Sequence, residues 1–271
     1  MTNELPDYLT HYTTIQGFMG IVESKGFWAS NASFLNDRKE LVHGLEGAER
    51  AISKLKGRLD PALFQHLPRV IQEIKEGSLP ATYVTCFCAR DDLLSQWRGY
   101  GGSEQGVSIQ FPREILKRRM AKQNAKLIKV IYSHLSTEKK VRDALAEEMR
   151  DLLEWEKVLG TQSDDERKAG VFDIVSKLLP RFKHLGFQDE REWRFVVQSA
   201  VNADDLLFRP KGAFIAPYIV LDLGKAKLPM RSVTIGPGRE MELTRASVRL
   251  FLDRHGYKDV PVKVSAVPFR G

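Results

Sequence analysis

Apolar positions change period along this chain, alternating in short runs near both ends and recurring every three or four residues between them. Tyr8–Thr13 predicts a strand. The apolar set Ile15, Phe18, Met19 and Val22 predicts a helix that Thr13 or Thr14 can cap and Gly26 stops. Phe27–Ser30 predicts a second strand, Asn36 and Asp37 open a helix to about Lys56, and an amphipathic helix follows from about Pro61 to Lys75. Thr82–Cys88 and Gly106–Phe111 read as strands bracketing the polar, glycine-rich DDLLSQWRGYGGSEQ, and Leu127–Tyr132 as another. From Ser136 to about Lys183 the period is helical, broken near Gly160–Asp165. Strands at Glu192–Val197, Phe214–Leu221 and Ser232–Ile235, a helix from about Leu243 to His255 and a strand near Val262–Val264 complete the reading.

No repeat and no Pro/Gly/Ser linker divides these elements, and the alternation is too irregular for a doubly wound parallel sheet. The expectation is one α+β domain over residues 1–271 with a helical hairpin inserted at about 136–183.

At 271 residues, 42% hydrophobic and 28% charged, the chain has the makeup of an ordinary globule. No run reaches the roughly 20 apolar residues of a spanning helix, and no basic region followed by an apolar stretch opens the chain, so a cytoplasmic protein without membrane attachment is expected. The net charge of +7 favours anionic partners such as nucleotides, RNA or DNA. Oligomeric state is not legible. Cys86 and Cys88, the only cysteines, would share a strand face as buried thiols, and the six histidines show no ligand spacing, so no metal is expected.

Chemistry concentrates in a few segments. In GFQDEREWRFVV, alternation puts Glu190 and Glu192 on one strand face and Arg191 and Trp193 on the other. Two carboxylates pointing the same way into a sheet lose water and repel, a cost borne for chemistry or for firm ion pairing with Arg98 or Arg191. His11 shares a face with Thr13, opposite Tyr12, and suits a sugar hydroxyl or proton movement; a core histidine with a satisfied hydrogen bond is the alternative. GFWASNASFLND offers Trp28 beside Ser30, Asn31 and Ser33, a flat face next to small hydroxyls that suits a heterocycle, or simply core and turn. In SQWRGYGG, Arg98 presents a fork for phosphate or carboxylate. The basic run Arg113–Lys129 fits either a nucleic-acid backbone or a solvated helix face, and IGPG fits a turn. Nucleophile-elbow, zinc-protease, dinucleotide-fingerprint and P-loop motifs are lacking.

THYTT, GFWASNASFLND, SQWRGYG with GVSIQF, FKHLGFQDEREWRFV, and IGPG with the closing VSAVPFR resemble, in order from about Leu9 to Arg270, the bacterial domain of unknown function 2971 family, whose name implies no activity. A more distant resemblance is to ADP-ribosyltransferase folds. His11, a helix over Ile15–Ser24, Gly26-Phe27-Trp28-Ala29-Ser30 with Ser33, and Glu192 follow that family's order, with a longer helical insertion before the glutamate and no obvious tyrosine after the hydroxyl segment. Tyr12, Phe27 or Trp28 would have to stack the nicotinamide in its place.

That resemblance implies a mostly antiparallel sheet and NAD as substrate. His11, with Tyr12 and Thr13 beside it, would hold a ribose hydroxyl; Trp28, Ser30 and Ser33 would line the nicotinamide side; Arg98 would take the pyrophosphate. Glu192 would stabilise positive charge at the anomeric carbon and Glu190 would orient an acceptor. The activity implied is transfer of ADP-ribose to a macromolecule, as in a toxin or phage-defence effector. The competing expectations are a nucleic-acid or nucleotide binder without catalysis, and an RNA-directed nuclease or phosphotransferase using His11 and Arg98.

Overall fold

The computed structural model describes residues 5–34, 38–57, 59–76, 82–100, 105–133, 137–160, 162–198, 205–211 and 213–268. The chain opens with β1 (Tyr8–Thr14), α1 (Ile15–Ser24) and β2 (Gly26–Asn31), then α2 (Arg38–Leu55), α3 (Pro61–Phe64) and α4 (Leu67–Lys75). The Oγ1 of Thr14 caps α1 by accepting from the Gly17 N–H at 3.1 Å, and Lys25 leaves the helix in the left-handed region at φ 52°. Asn36 and Asp37, expected to open the next helix, lie outside the described residues. The helix expected over 61–75 is two, because Pro68 lacks the N–H that would continue α3 and sits in the first turn of α4.

Next come β3 (Thr82–Cys88), α5 (Leu94–Tyr100), β4 (Gly106–Pro112), α6 (Arg113–Ala121), β5 (Lys126–Lys129) and β6 (Ile131–Ser133). Then follow α7 (Thr137–Leu159), α8 (Asp164–Leu178), β7 (Phe182–His184), β8 (Glu192–Gln198), β9 (Leu207–Lys211), β10 (Phe214–Asp222), β11 (Ser232–Ile235), α9 (Met241–Arg254) and β12 (Val262–Val264). Three readings change. The strand expected over Leu127–Tyr132 breaks at buried Val130, with β5 joining β8 and β6 pairing in parallel with β7 as a separate ribbon. Helix α8 stops at Leu178 because Pro180 follows, so Phe182–His184 is strand and not helix. DDLLSQWRGY, in the polar segment between two strands where no helix is expected, contains helix α5.

The fold is α+β, and its main sheet is mostly antiparallel, with β11 and β12 the parallel pair. The main path runs β12-β11-β4-β1-β3-β2-β10-β9, with β8 and β5 added beside β3. One core lies against the sheet, built from α1, α9 and inward residues such as Leu9, Phe27, Phe87, Ile109, Phe111 and Phe195. The hairpin α7–α8 is not a lone insertion. Its Val141, Leu145, Met149, Val171 and Val175 close a second core with Leu45 and Leu55 of α2 and Val70, Ile71 and Ile74 of α4.

The feature that positions the site is a break on one margin of β3. The other margin pairs with β8 along its full length, Thr82 opposite Gln198 through Cys88 opposite Glu192. On the broken margin, β1 meets β3 through Thr10–Cys88 and β2 meets it through Ser30–Val84 and Asn31–Tyr83. Thr85, Cys86 and Phe87 therefore face a gap where β1 and β2 splay apart.

Candidate active site

A cleft of about 850 Å³ opens at this gap. Cross-strand pairs share a face, so the register puts Thr10, Trp28, Ser30, Cys86, Cys88, Glu192 and Arg194 on one side of the sheet. All seven line the cleft, together with Gln96, Gly99 and Tyr100 of α5 and with Arg209 and Tyr218. The alternate residues of β8, Trp193, Phe195 and Val197, go into the main core.

His11 belongs to the opposite face by alternation, among Phe27 and Phe87, whose ring centroids each lie 5.3 Å from its own. It reaches the cleft because its Nδ1 bonds the Cys86 carbonyl at 2.8 Å, in the stretch of β3 that has no strand partner on that margin. A carbonyl only accepts, so Nδ1 carries the proton and Nε2 is the acceptor. Burial lowers the imidazole's pKa, the Cys86 bond partly restores it and the Arg209 cation lowers it again, to about 4. The ring is neutral near pH 7.

Glu192 is 3% exposed. Its Oε1 accepts from Arg194 Nε at 2.7 Å, and its Oε2 from Arg194 Nη2 at 2.8 Å and Lys183 Nζ at 3.1 Å. Lys183 also donates to Glu190 at 2.6 Å. Burial alone would raise the Glu192 pKa, but the Arg194 and Lys183 charges overcome it and hold it at about 2. Two cations and two carboxylates leave this quartet formally neutral. The expected strand pairing of Glu190 with Glu192 is corrected: Glu190 ends a 3-10 turn, Arg191 adopts φ 46°, and β8 starts at Glu192. Arg98 and Arg191, the expected ion-pair partners, are both exposed, and Lys183 and Arg194 fill that role.

Tyr12 and Thr13 also line the cleft. The Tyr12 hydroxyl is committed elsewhere, donating to Arg90 O and accepting from Leu93 N at 3.0 Å. Ser33 does not line the cleft; it sits in the turn Ala32–Phe34, its N–H bonded to Asn31 Oδ1. Arg98 and Glu190 are likewise absent from the lining, since α5 turns Gln96, Gly99 and Tyr100 toward the cleft instead. The residues the sequence reading missed are Arg209, Arg194, Lys183 and Tyr218. Arg194 stands inside the quoted motif and is legible by its spacing from Glu192; Arg209 lies in a strand the pattern did not reveal.

IGPG is a strand end whose Gly236 admits the Trp97 ring; a Cβ there would lie 2.7 Å from Trp97 Cε3. Cys86 and Cys88 are free thiols, and burial pushes Cys88 up to about 12. Among the described residues, no group of three His, Cys, Asp or Glu side chains could hold a metal, and no helix is long and apolar enough to cross a membrane.

Residues 96–195 match the model of a family described as Protein of unknown function (DUF2971). The DUF2971 match runs from α5 into β8, taking in Gln96, Tyr100, Lys183, Glu192 and Arg194 but neither His11 nor Arg209. No curated protein and no solved structure matches the chain.

Proposed function

We propose that the chain is an NAD-using enzyme of ADP-ribosyltransferase type, acting on a macromolecular acceptor. The observation that carries this reading is that His11, Trp28, Ser30 and Glu192 border one cleft whose roughly 850 Å³ suits a nucleotide-sized ligand. In it, neutral His11 accepts a hydrogen bond from a ribose hydroxyl through Nε2, and Trp28 supplies a flat wall. Glu192, with its oxygens already occupied and its pKa near 2, neither gives nor takes a proton near neutrality. Its contribution is a fixed negative charge near the sugar as nicotinamide leaves, diminished by the paired Arg194 and Lys183.

Incubation with NAD labelled in the adenylate half, with and without cellular RNA and protein, tests this. Transfer of label that is lost in Ser30→Ala and in Glu192→Gln, each checked for folding by circular dichroism, is the expected result. No consumption of NAD under any acceptor condition overturns it.

A second reading, nucleic-acid binding without catalysis, is favoured by the exposed cations Lys117, Arg118, Lys122, Lys126 and Lys129 on α6, its C-cap and β5. Binding of this kind weakens steeply with salt and survives Glu192→Gln.

A further inference from the structure

Arg98, the arginine that the sequence marks for an anion, is exposed and does not line the cleft, and another guanidinium stands inside it. Arg209 reaches in from β9, where its Nη2 donates to Ser30 Oγ at 2.8 Å. Its guanidinium carbon lies 5.5 Å from the Trp28 ring centroid and 5.8 Å from that of Tyr218, and those two rings are 5.1 Å apart. It is partly buried, its Nε is buried without a hydrogen-bond partner, and no carboxylate pairs with it among the described residues. The contrast with Arg194 is sharp, since that side chain is neutralised by Glu192. A cation taken largely out of water and left without a counter-ion is costly, and an anionic ligand removes the cost. The fork geometry suits an oxyanion with two acceptor oxygens. Phe208 and Pro210, its neighbours on β9, also line the cleft, and Phe208 is largely exposed, so apolar surface flanks the cation.

We propose that Arg209, braced by Ser30, Trp28 and Tyr218, binds a phosphoryl group of the cleft's ligand, with the ligand's base seated on the neighbouring aromatic surface. The ligand class is therefore a phosphorylated nucleoside. This deepens the nucleotide reading of the cleft and rests on it, but not on any turnover of NAD. Ser30 acts here as a positioning residue: its hydroxyl accepts from Arg209 and holds the fork in place.

The test is calorimetric titration of the full chain with ADP, adenosine and inorganic pyrophosphate. ADP should bind at least about 10-fold more tightly than adenosine, the order expected for one charge-assisted bidentate contact. Arg209→Met should remove that preference and leave adenosine binding unchanged, whereas Arg98→Met should change neither. Arg209→Lys, which keeps the charge and loses the fork, should retain part of the preference and serves if the Met variant does not fold. Equal affinity for ADP and adenosine in the natural chain, loss of the ADP preference in Arg98→Met, or no nucleotide binding at all overturns the proposal. ADP binding through Arg209 without NAD consumption sinks the transferase reading alone.

Discussion

Arg194 grips Glu192 through both carboxylate oxygens, at 2.7 and 2.8 Å, although the two stand only two residues apart on one strand. The same-face alternation that brings them together also buries them, Arg194 to 1% and Glu192 to 3% exposure. Lys183 and the Cys86 thiol take up positions around the same carboxylate.

Glu192→Gln therefore carries a stability penalty apart from any effect on activity. Within the quartet it leaves the charges of Arg194 and Lys183 facing Glu190. Breaking one partner of a buried pair costs about 3 to 5 kcal/mol, read as a lower urea midpoint. Glu192→Gln with Lys183→Met restores charge balance, so the double variant should lose less than the sum of the two single losses. Additive losses would show that the quartet is not coupled.

Stability should fall with acid in two stages. For His11 the folded pKa of about 4 lies below the ordinary 6.5, so the unfolded chain takes a proton the folded one refuses, and stability present above 6.5 is lost between 6.5 and 4. For Glu192 the folded pKa of about 2 lies below the ordinary 4.5, so its contribution is present above 4.5 and lost between 4.5 and 2. Urea midpoints measured across the acid range should show both stages. His11→Gln should flatten the upper stage and leave the lower one; an upper stage unchanged in that variant contradicts the assignment.

Asp92 ties the closing segment of the chain to the loop before α5. Its carboxylate accepts from Trp97 Nε1 at 2.8 Å, Ala266 N at 2.8 Å and Ser265 Oγ, from a backbone at φ 54°. Asp92→Ala removes all three bonds and places alanine in the left-handed region, for a loss of about 2 to 3 kcal/mol. Limited proteolysis should then clip the C-terminal segment first. Asp92→Asn, whose side chain tolerates that backbone, should cost less.

Gly236→Ala drives a methyl against Trp97, whose ring atom would be 2.7 Å away. The penalty expected for overpacking is about 1 to 3 kcal/mol. Because Trp97 seats α5, whose Gln96, Gly99 and Tyr100 line the cleft, ligand affinity should fall together with the thermal midpoint. An unchanged melting curve would mean that the ring relocates freely.

Much of the framework was legible from short apolar runs bounded by polar or turn residues: Thr82–Cys88, Ser232–Ile235 and Val262–Val264 form the strands their sequence predicts. What escaped was set by partners distant in sequence. Phe182–His184 continues a helical period and becomes strand only because Pro180 ends the helix and Ile131–Ser133 is there to pair with it. Leu207–Lys211 contains Pro210 and, among the described residues, pairs with β10 alone, so nothing in its own composition announces a strand or the importance of Arg209. The acid side was readable as a dense charged motif and Arg194 by its spacing, but Lys183 was not, since it stands on β7, before the turn Leu185–Glu190.

The divergence of β1 and β2 from β3 has a mechanical meaning. The two arms leave their common strand from opposite ends, so the aperture beside the imidazole is set by the angle between them and not by a ladder crossing it. Altering how β2 seats on β10 would widen or narrow the mouth from a distance, with every lining side chain intact.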